Sequence, residues 1–138
     1  MSSDEEAIRK SIAEYSQFLD DRRIEDFMDL WCENARWNIP AINAASEGRN
    51  EIREFAMQFM DPATKGSTKH IALNSVIAVD GDEAAVESDF VVFGNRAGGP
   101  VMRSAGRYVD RFRREPDRWR FVERTHVASG WDFGLPAS

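Results

Sequence analysis

Two histidines are the side chains best suited to proton transfer, because the ordinary pKa of imidazole, about 6.5, lies near neutral pH. They are His70 and His126, and the chain has no others. His70 opens a segment rich in β-branched and apolar residues, which predicts a strand. Alternation puts His70, Ala72, Asn74, Val76 and Ala78 on one face, and Ile71, Leu73, Ile77 and Val79 on the other. The first face is small and partly polar, as a pocket wall would be, which makes His70 a candidate base. A surface histidine at a strand start is the alternative.

A carboxylate beside a histidine base fixes its tautomer and stabilises the imidazolium that forms. Asp20 and Asp21 close the first predicted helix, and both are candidates for that partner. Asp20 lies on the flank of the apolar stripe, whereas Asp21 turns further away. Tyr15 lies on the stripe, where its hydroxyl could enter a cavity or its ring could serve the core. His126 is interpreted as structural, with a second proton carrier as the alternative.

Aromatic and sulfur-containing side chains could line an apolar pocket, although most of them must also build the core. Trp31 belongs to this group, with a core position as its first interpretation. The residues predicted to contact a substrate are Tyr15, Trp37, Phe55, Phe59, Asn74, Phe90, Met102 and Tyr108.

Several function classes are disfavoured by composition and motifs. The chain has 138 residues, a net charge of −6 and one cysteine, Cys32. The acidic balance gives no electrostatic reason to expect nucleic acid or an anionic membrane as a partner. No G-x-S-x-G, P-loop or G-x-G-x-x-G motif occurs, and no cluster has metal-ligand spacing. A lone cysteine is typical of a buried thiol, and together with the polar, acidic N-terminus it predicts a cytoplasmic location.

Three helices are predicted in the first half of the chain. Ser3, with Glu6 in the capping-box position, starts the first, which runs to about Asp21. The pattern then predicts a second helix over 24–33, a strand over 35–39 and a loop over 40–49. Asn50 caps a third helix, which ends at Asp61-Pro62.

Long strands are predicted in the second half. They cover 68–79, 84–94, 101–113 and 118–129, with hairpin signals at Asp80-Gly81 and around Pro116. Trp131 and Phe133 in the tail could cap an opening. Helices followed by strands predict one α+β domain over 1–138, with three N-terminal helices packed on an antiparallel sheet. Four arginines alternate on the third strand and predict a solvated or subunit-facing surface: Arg103, Arg107, Arg111 and Arg113.

Seven short segments follow one another at a recognisable spacing. They are Tyr15-x4-Asp20, Phe27-Met28-Asp29-Leu30-Trp31, Asn34-Ala35-Arg36-Trp37, Glu47-Gly48-Arg49-Asn50-Glu51-Ile52, Lys69-His70-Ile71-Ala72-Leu73-Asn74, Gly106-Arg107-Tyr108-Val109-Asp110 and Trp119-Arg120-Phe121. Together they resemble the SnoaL-like branch of the NTF2-like superfamily over about residues 5–131. The resemblance implies a cone in which a strongly curved sheet wraps helices around a deep apolar cavity.

Within that superfamily the chain is most similar to the scytalone dehydratase and hexachlorocyclohexane dehydrochlorinase types. Those enzymes use an Asp–His dyad without a cofactor, and the dyad maps onto Asp20 and His70. A second histidine of scytalone dehydratase would fall within 89–93, where this chain has none. The ketosteroid isomerase type needs an aspartate near Trp37, where this chain has Asn38. Relatives of this fold usually pair through the outer sheet face, which predicts a homodimer or homotrimer.

These observations favour a cofactor-independent lyase or isomerase, in which Asp20 orients His70 and His70 removes a proton from a small, largely apolar, cyclic substrate. The alternative is a non-catalytic protein that binds an apolar ligand or acts as an accessory subunit, for which no contact between the two residues is expected. Epoxide hydration is a third possibility, and it requires two acids and an arginine that converge in the pocket.

Overall fold

The first helix is anchored at both ends by side chains. In the computed structural model, which describes residues 3–129, α1 spans Asp4–Asp20. The predicted capping box is present, since the Ser3 hydroxyl accepts from the Glu6 amide and the Glu6 carboxylate accepts from the Ser3 amide. Arg22 follows the helix with a φ of 59°, and its guanidinium donates to the carbonyl of Leu19 and the hydroxyls of Thr68 and Ser67. This turn ties the end of α1 to the segment that enters the sheet.

The second helix is shorter than predicted. Helix α2 spans Ile24–Met28, and strand β1 spans Trp31–Ile39, so the predictions of a helix over 24–33 and a strand over 35–39 are wrong at their shared boundary. A short run of apolar residues is compatible with both a helix and a strand, and here pairing with another strand selects the strand. The amide of Phe121 donates to the carbonyl of Leu30, and Trp31 pairs with Phe121, which draws this run into the sheet.

The segment predicted as a loop over 40–49 contains regular structure. A short 3-10 turn, Pro40–Ile42, is followed by strand β2, Ala44–Glu47, which pairs antiparallel with β1. Helix α3 then spans Gly48–Met57, so it begins before Asn50 and ends before Asp61-Pro62, which opens a second 3-10 turn. No side chain caps α3 at its start, which is why the capping signal misplaced it.

The second half forms the four long strands that the sequence predicts. They are β3, Thr68–Asp80; β4, Glu83–Arg96; β5, Gly99–Arg114; and β6, Trp119–Ala128. Within residues 3–129, the curved sheet has six strands in the order β2-β1-β6-β5-β4-β3, with every pairing antiparallel except β1 with β6. The α+β architecture of three helices on a curved sheet is therefore confirmed, with one parallel pairing added. Among the described residues, no helix is both long and apolar enough to cross a membrane. Trp131 and Phe133 lie outside the described residues.

A β-bulge on β3 changes which residues point inward. Asn74 has a φ of 55°, and the pairing register with β4 shifts between Leu73 and Val76. His70 and Ala72 face the interior as predicted, but beyond the bulge Ser75 and Ile77 take over. The predicted placement of Val76 and Ile77 is wrong, and Val76 is 70% exposed on the outer face.

The outer face of the sheet mixes apolar and charged side chains. The four alternating arginines of β5, Arg103, Arg107, Arg111 and Arg113, are exposed, in agreement with the predicted solvated surface. The apolar run that the sequence assigned to a second face of β3 also lies partly in solvent, with Ile71 and Leu73 both exposed. The core lies between the helices and the inner face.

Candidate active site

Asp20 and His70 meet at the end of α1. The Nδ1 atom of His70 lies 2.6 Å from Oδ1 of Asp20, and the backbone amide of His70 donates to Oδ2 of the same carboxylate at 2.9 Å. Asp20 is 6% exposed, and the side chain of His70 is 16% exposed. Of the two candidate carboxylates only Asp20 makes this contact, since Asp21 is exposed to solvent.

The surrounding backbone holds the carboxylate in one orientation. Thr68, the first residue of β3, donates its hydroxyl to Oδ1 of Asp20 at 3.3 Å, while Arg22 donates to the Thr68 hydroxyl. Both carboxylate oxygens therefore accept hydrogen bonds from the start of β3. Because the helix end and the strand start are tied together in this way, the imidazole has a defined position relative to the carboxylate.

The contact with Asp20 assigns the two nitrogens of His70 different roles. A carboxylate accepts hydrogen bonds, so Nδ1 carries the proton and the lone pair of the neutral ring lies on Nε2. Within residues 3–129, no protein group hydrogen-bonds to Nε2 of His70. The ring can accept a proton at Nε2, and Asp20 would stabilise the cation that results.

A groove of about 350 Å³ runs between α1 and β3 past this pair. Asp20 and His70 line it, and Asn74 of the bulge lines it further along. Ser16, one helical turn before Asp20, lines the same groove, and its buried hydroxyl has no hydrogen-bond partner among the described residues. The groove thus combines a proton acceptor with a polar group that a bound molecule could satisfy.

Most of the predicted substrate-contacting aromatics pack against one another in the interior beside this groove. Tyr15 lies at the centre, with ring centroids 6.1 Å from Trp37 and 5.8 Å from Tyr108. Phe90 stacks on Tyr108 at 4.4 Å, and it pairs across the sheet with Ala72, two residues after His70. The structure therefore places these rings next to the Asp20–His70 pair, although none of them lines the groove itself.

The remaining predicted contacts lie further out. Phe55 packs edge-on against Trp37, while Phe59 packs on Phe55 and is 47% exposed. The amide of Asn74 donates to Asp89, which stabilises the bulge. Met102 is half-buried on β5 and does not line the groove. Contact of these residues with a substrate stays a prediction.

His126 lies in the interior beside these rings. Its Nε2 accepts from the indole of Trp37 at 3.0 Å, and the hydroxyl of Tyr15 lies 3.2 Å from the same atom. Burial, together with the positive charges of Arg124 and His70, lowers the pKa of His126 to about 3. The sequence pattern did not settle the role of His126. Its partners Trp37 and Tyr15 lie 89 and 111 residues earlier in the chain, so no pattern of neighbouring residues indicates these contacts.

A fully buried ion pair lies under the same rings, and sequence reasoning missed it. Arg124 donates from Nε and Nη2 to the two oxygens of Asp110, each at 2.8 Å, and neither side chain is exposed. The guanidinium lies 3.7 Å from the ring centroid of Tyr108 and 4.2 Å from that of Tyr15. Burial raises the pKa of Tyr15 well above its ordinary value, so its hydroxyl keeps its proton. A shift in register after Phe121 turns Arg124 inward, against simple alternation.

Epoxide hydration would need two acids that converge on one arginine. Arg124 contacts only Asp110 among the carboxylates of the described residues, whereas Asp20 contacts His70. In the described part of the chain, the arginines that do contact two or more carboxylates, Arg114, Arg118 and Arg120, do not line the groove, so two acids and an arginine do not converge there. Within the same part of the chain, no group of three or more His, Cys, Asp or Glu side chains could hold a metal ion.

Comparison with protein-family models identifies the family of this chain. A model of the SnoaL-like domain matches residues 1–125. An NTF2-like protein with a cystatin-like fold from Novosphingobium aromaticivorans is 28% identical, covers 95% of this chain and 85% of its own, and superposes with a TM-score of 0.80. Among curated proteins, none matches significantly.

Two further solved structures share the fold. A candidate scytalone dehydratase from N. aromaticivorans is 22% identical over 96% of this chain and 89% of its own, with a TM-score of 0.75. LinA is 20% identical over 96% of this chain and 94% of its own, with a TM-score of 0.76. From the match of the family model over nearly the whole sequence, the chain belongs to the SnoaL-like domain family.

Proposed function

We propose that the protein is a cofactor-independent lyase or isomerase that acts on a small, largely apolar, cyclic substrate. The observation that carries the proposal is the 2.6 Å contact between Nδ1 of His70 and the buried carboxylate of Asp20. A histidine oriented by a carboxylate, with its second nitrogen free beside a groove, is the arrangement that general-base catalysis requires. The similarity to LinA and to a candidate scytalone dehydratase supports the same class of chemistry.

In an elimination, Nε2 of His70 takes the proton from a substrate carbon, and the electrons of that C–H bond form a new double bond. The leaving group departs from the neighbouring carbon with its own electron pair, as water, after protonation, or as halide. The proton on His70 then returns to the leaving group or to solvent. Asp20 stabilises the imidazolium throughout, and general-base catalysis of this kind contributes typically about 10²–10⁴-fold.

The test is turnover of a panel of cyclic β-hydroxy ketones and polychlorinated cyclohexanes, followed by ultraviolet absorbance and halide release. Asp20→Asn and His70→Gln should each lower turnover at least about 100-fold, while both variants keep the wild-type circular dichroism spectrum. Asp21→Asn is the matched control, because its carboxylate is exposed one residue away. Its turnover should equal that of the wild type.

The alternative is a ligand-binding or accessory protein without catalysis. Hydrogen–deuterium exchange at the substrate carbon in deuterated solvent distinguishes the enzyme from the ligand-binding protein. A catalytic base removes and returns this proton even when the compound has no leaving group, whereas a binding protein does not. Turnover or exchange that persists at full rate in Asp20→Asn, or that never occurs in the wild type with any compound that binds, would reject the enzymatic proposal.

We also propose that the outer sheet face joins two or more copies of this chain. That face exposes Ile71, Leu73 and Val76 close to the oppositely charged Asp89 and Arg107, so it is self-complementary in both apolarity and charge. Sedimentation of the wild type should give a dimer or trimer, and Val76→Lys should shift it toward the monomer. A monomeric wild type would reject this.

A further inference from the structure

The hydroxyl of Ser16 is a buried polar group that the protein itself leaves unsatisfied. Ser16 is 6% exposed, and its Oγ has no hydrogen-bond partner among the described residues. It lies four positions before Asp20, on the same side of α1 and about 6 Å along the helix axis, and both residues line the groove beside His70. A buried hydroxyl without a partner is unfavourable, so an acceptor that reaches it from the groove gains a hydrogen bond.

Rotation of one bond is enough to present this hydroxyl to the groove. Neighbouring atoms cover the Oγ of Ser16, but no hydrogen bond to a described residue holds it in that position. A serine side chain moves between staggered positions about its Cα–Cβ bond without any movement of the helix. Ser11, the other buried serine of α1, is fixed instead, because its hydroxyl donates to the carbonyl of Trp119 and accepts from Arg118.

Positive charge is in excess along this groove, although the whole chain has a net charge of −6. The ionisable side chains that line the groove are Arg9, Lys69, His70 and Asp20. Within residues 3–129, neither Arg9 nor Lys69 forms a salt bridge. While His70 is neutral, two cations therefore stand against one carboxylate. A groove with such an excess attracts an anionic ligand.

The carboxylate that lines the groove is already occupied by the protein. The oxygens of Asp20 accept from the Thr68 hydroxyl and from the ring and the backbone amide of His70. The two unpaired cations of the groove can donate hydrogen bonds and cannot accept them, and the hydroxyl of Ser16 is a further donor. A ligand that matches these groups must bring acceptors, and a carboxylate is suited to this because it accepts only and carries the opposite charge.

We propose that Ser16 donates a hydrogen bond to a carboxylate of the substrate, so that the substrate is an ionised cyclic carboxylic acid. This proposal rests on the proposed function, since it identifies the polar group of the molecule on which His70 acts. Arg9 lies seven residues before Ser16 on the same side of α1, about 10 Å along the axis, and Lys69 precedes His70. Over such a separation the two cations attract the carboxylate without direct contact, and dissolved salt weakens the attraction.

The first experiment compares two probes of nearly the same shape, cyclohexanecarboxylate and its neutral amide, cyclohexanecarboxamide. Their affinities are measured by chemical-shift titration of the ¹⁵N-labelled full chain at neutral pH. At about 20 mM salt the carboxylate should bind at least about tenfold more tightly than the amide, and at about 300 mM salt this advantage should decrease at least about threefold. Equal affinity for the two probes, or an advantage that salt does not reduce, would overturn the proposal.

The second experiment separates a binding role of Ser16 from a structural one. Ser16→Ala should weaken cyclohexanecarboxylate at least about fivefold, because a charge-assisted hydrogen bond is lost. The same change should not lower Tm, because alanine removes an unsatisfied hydroxyl and favours the helix. Ser11→Ala is the matched control: it removes a buried hydroxyl that is hydrogen-bonded, so it should lower Tm and leave the affinity within about twofold. A lower Tm with unchanged affinity in Ser16→Ala would overturn the assignment.

The third experiment tests the charge of the groove. Arg9→Gln should weaken the carboxylate probe about threefold at low salt and leave the amide probe unchanged. Lys10→Gln is the matched control, because Lys10 is an exposed cation one residue away that does not line the groove. Equal losses in the two variants would show that only the net charge of the chain matters, and the role of the groove would be rejected.

The two proposals can fail separately because the binding experiments need no turnover. If cyclic compounds without a carboxylate are turned over, and Asp20→Asn and His70→Gln abolish that turnover while the carboxylate probe has no advantage, His70 stands as the base and the role of Ser16 falls. If the carboxylate binds through Ser16 but neither turnover nor proton exchange occurs with any cyclic acid, the Ser16 contact stands and the enzymatic proposal falls.

Discussion

The buried Asp110–Arg124 pair allows a direct test of how charge is stabilised in the interior. Two parallel hydrogen bonds of 2.8 Å join the side chains, both of which are fully buried, and the guanidinium lies between the rings of Tyr15 and Tyr108. Asp110→Asn keeps the shape of the side chain but removes its charge. Arg124 then stays charged without a charged partner, in surroundings that exclude water. Its Nη1 atom already lacks a hydrogen-bond partner among the described residues.

Loss of one partner from a buried ion pair costs about 3–5 kcal/mol, mainly because the remaining charge is uncompensated. For a chain of 138 residues, a loss of this size corresponds to a decrease in Tm of roughly 10–15 °C. The double variant Asp110→Leu with Arg124→Met removes both charges, and it should return to within about 2 kcal/mol of the wild type, because apolar replacement of a complete pair is close to neutral.

Urea unfolding followed by tryptophan fluorescence measures these free energies. Asp89→Asn is the matched control, because Asp89 forms a pair with Arg107 between neighbouring strands in which both side chains are partly exposed. An exposed pair contributes at most about 1 kcal/mol. The reasoning is refuted if Asp110→Asn loses no more stability than Asp89→Asn, or if the double variant is less stable than the single one.

Three further predictions concern other buried groups. The pKa of His126 falls from 6.5 to about 3 on folding, so between these two pH values only the unfolded chain binds a proton at this ring. The free energy of unfolding should therefore decrease as pH falls through this range, by up to about 1.4 kcal/mol per pH unit. Urea titrations of His126→Gln at several pH values should show a weaker dependence of this free energy on pH. Gly106→Ala places a methyl group 2.2 Å from the Val127 carbonyl oxygen and should lower the free energy of unfolding by about 1–3 kcal/mol. Gly94→Ala is the control and should lower it less, because the new methyl group meets only a movable arginine side chain. Equal losses of stability in the two variants would contradict this reasoning. Burial raises the pKa of the Cys32 thiol to about 11, so iodoacetamide at pH 8 should react at least about 100-fold more slowly than in urea, and equal rates would show an accessible thiol.

The overall architecture was accessible from the sequence because its signals are local. The capping box at Ser3, the apolar periodicity of α1 and the hairpin at Gly81 each lie within a few residues. The pairing of Asp20 with His70 was expected from the resemblance to a known family, because the residue pattern by itself left a solvated helix end and a surface histidine as alternatives. The resemblance to a known family selected Asp20 over Asp21.

Departures from strand alternation account for the largest errors. The bulge at Asn74 inserts one residue, so that Ser75 points inward and Val76 outward. A second register shift after Phe121 lets Phe121 and Arg124 share the interior, although they are an odd number of residues apart. One extra residue in a strand moves every later side chain to the opposite face of the sheet. The alternation of apolar and polar residues does not show where such a residue is inserted.

The opposite behaviour of the two histidines could not be read from the sequence for a related reason. Each imidazole takes its hydrogen-bonding role from its partner, and those partners come from other elements: a carboxylate 50 residues before His70, an indole 89 residues before His126. Both rings have the same intrinsic chemistry and lie on inward-facing strand positions. Exchange of the partners would exchange the roles, because a donor at Nε2 occupies the lone pair of the ring, whereas a carboxylate at Nδ1 leaves that lone pair free to accept a proton. The difference between the two histidines is therefore a property of the sheet order and the end of α1.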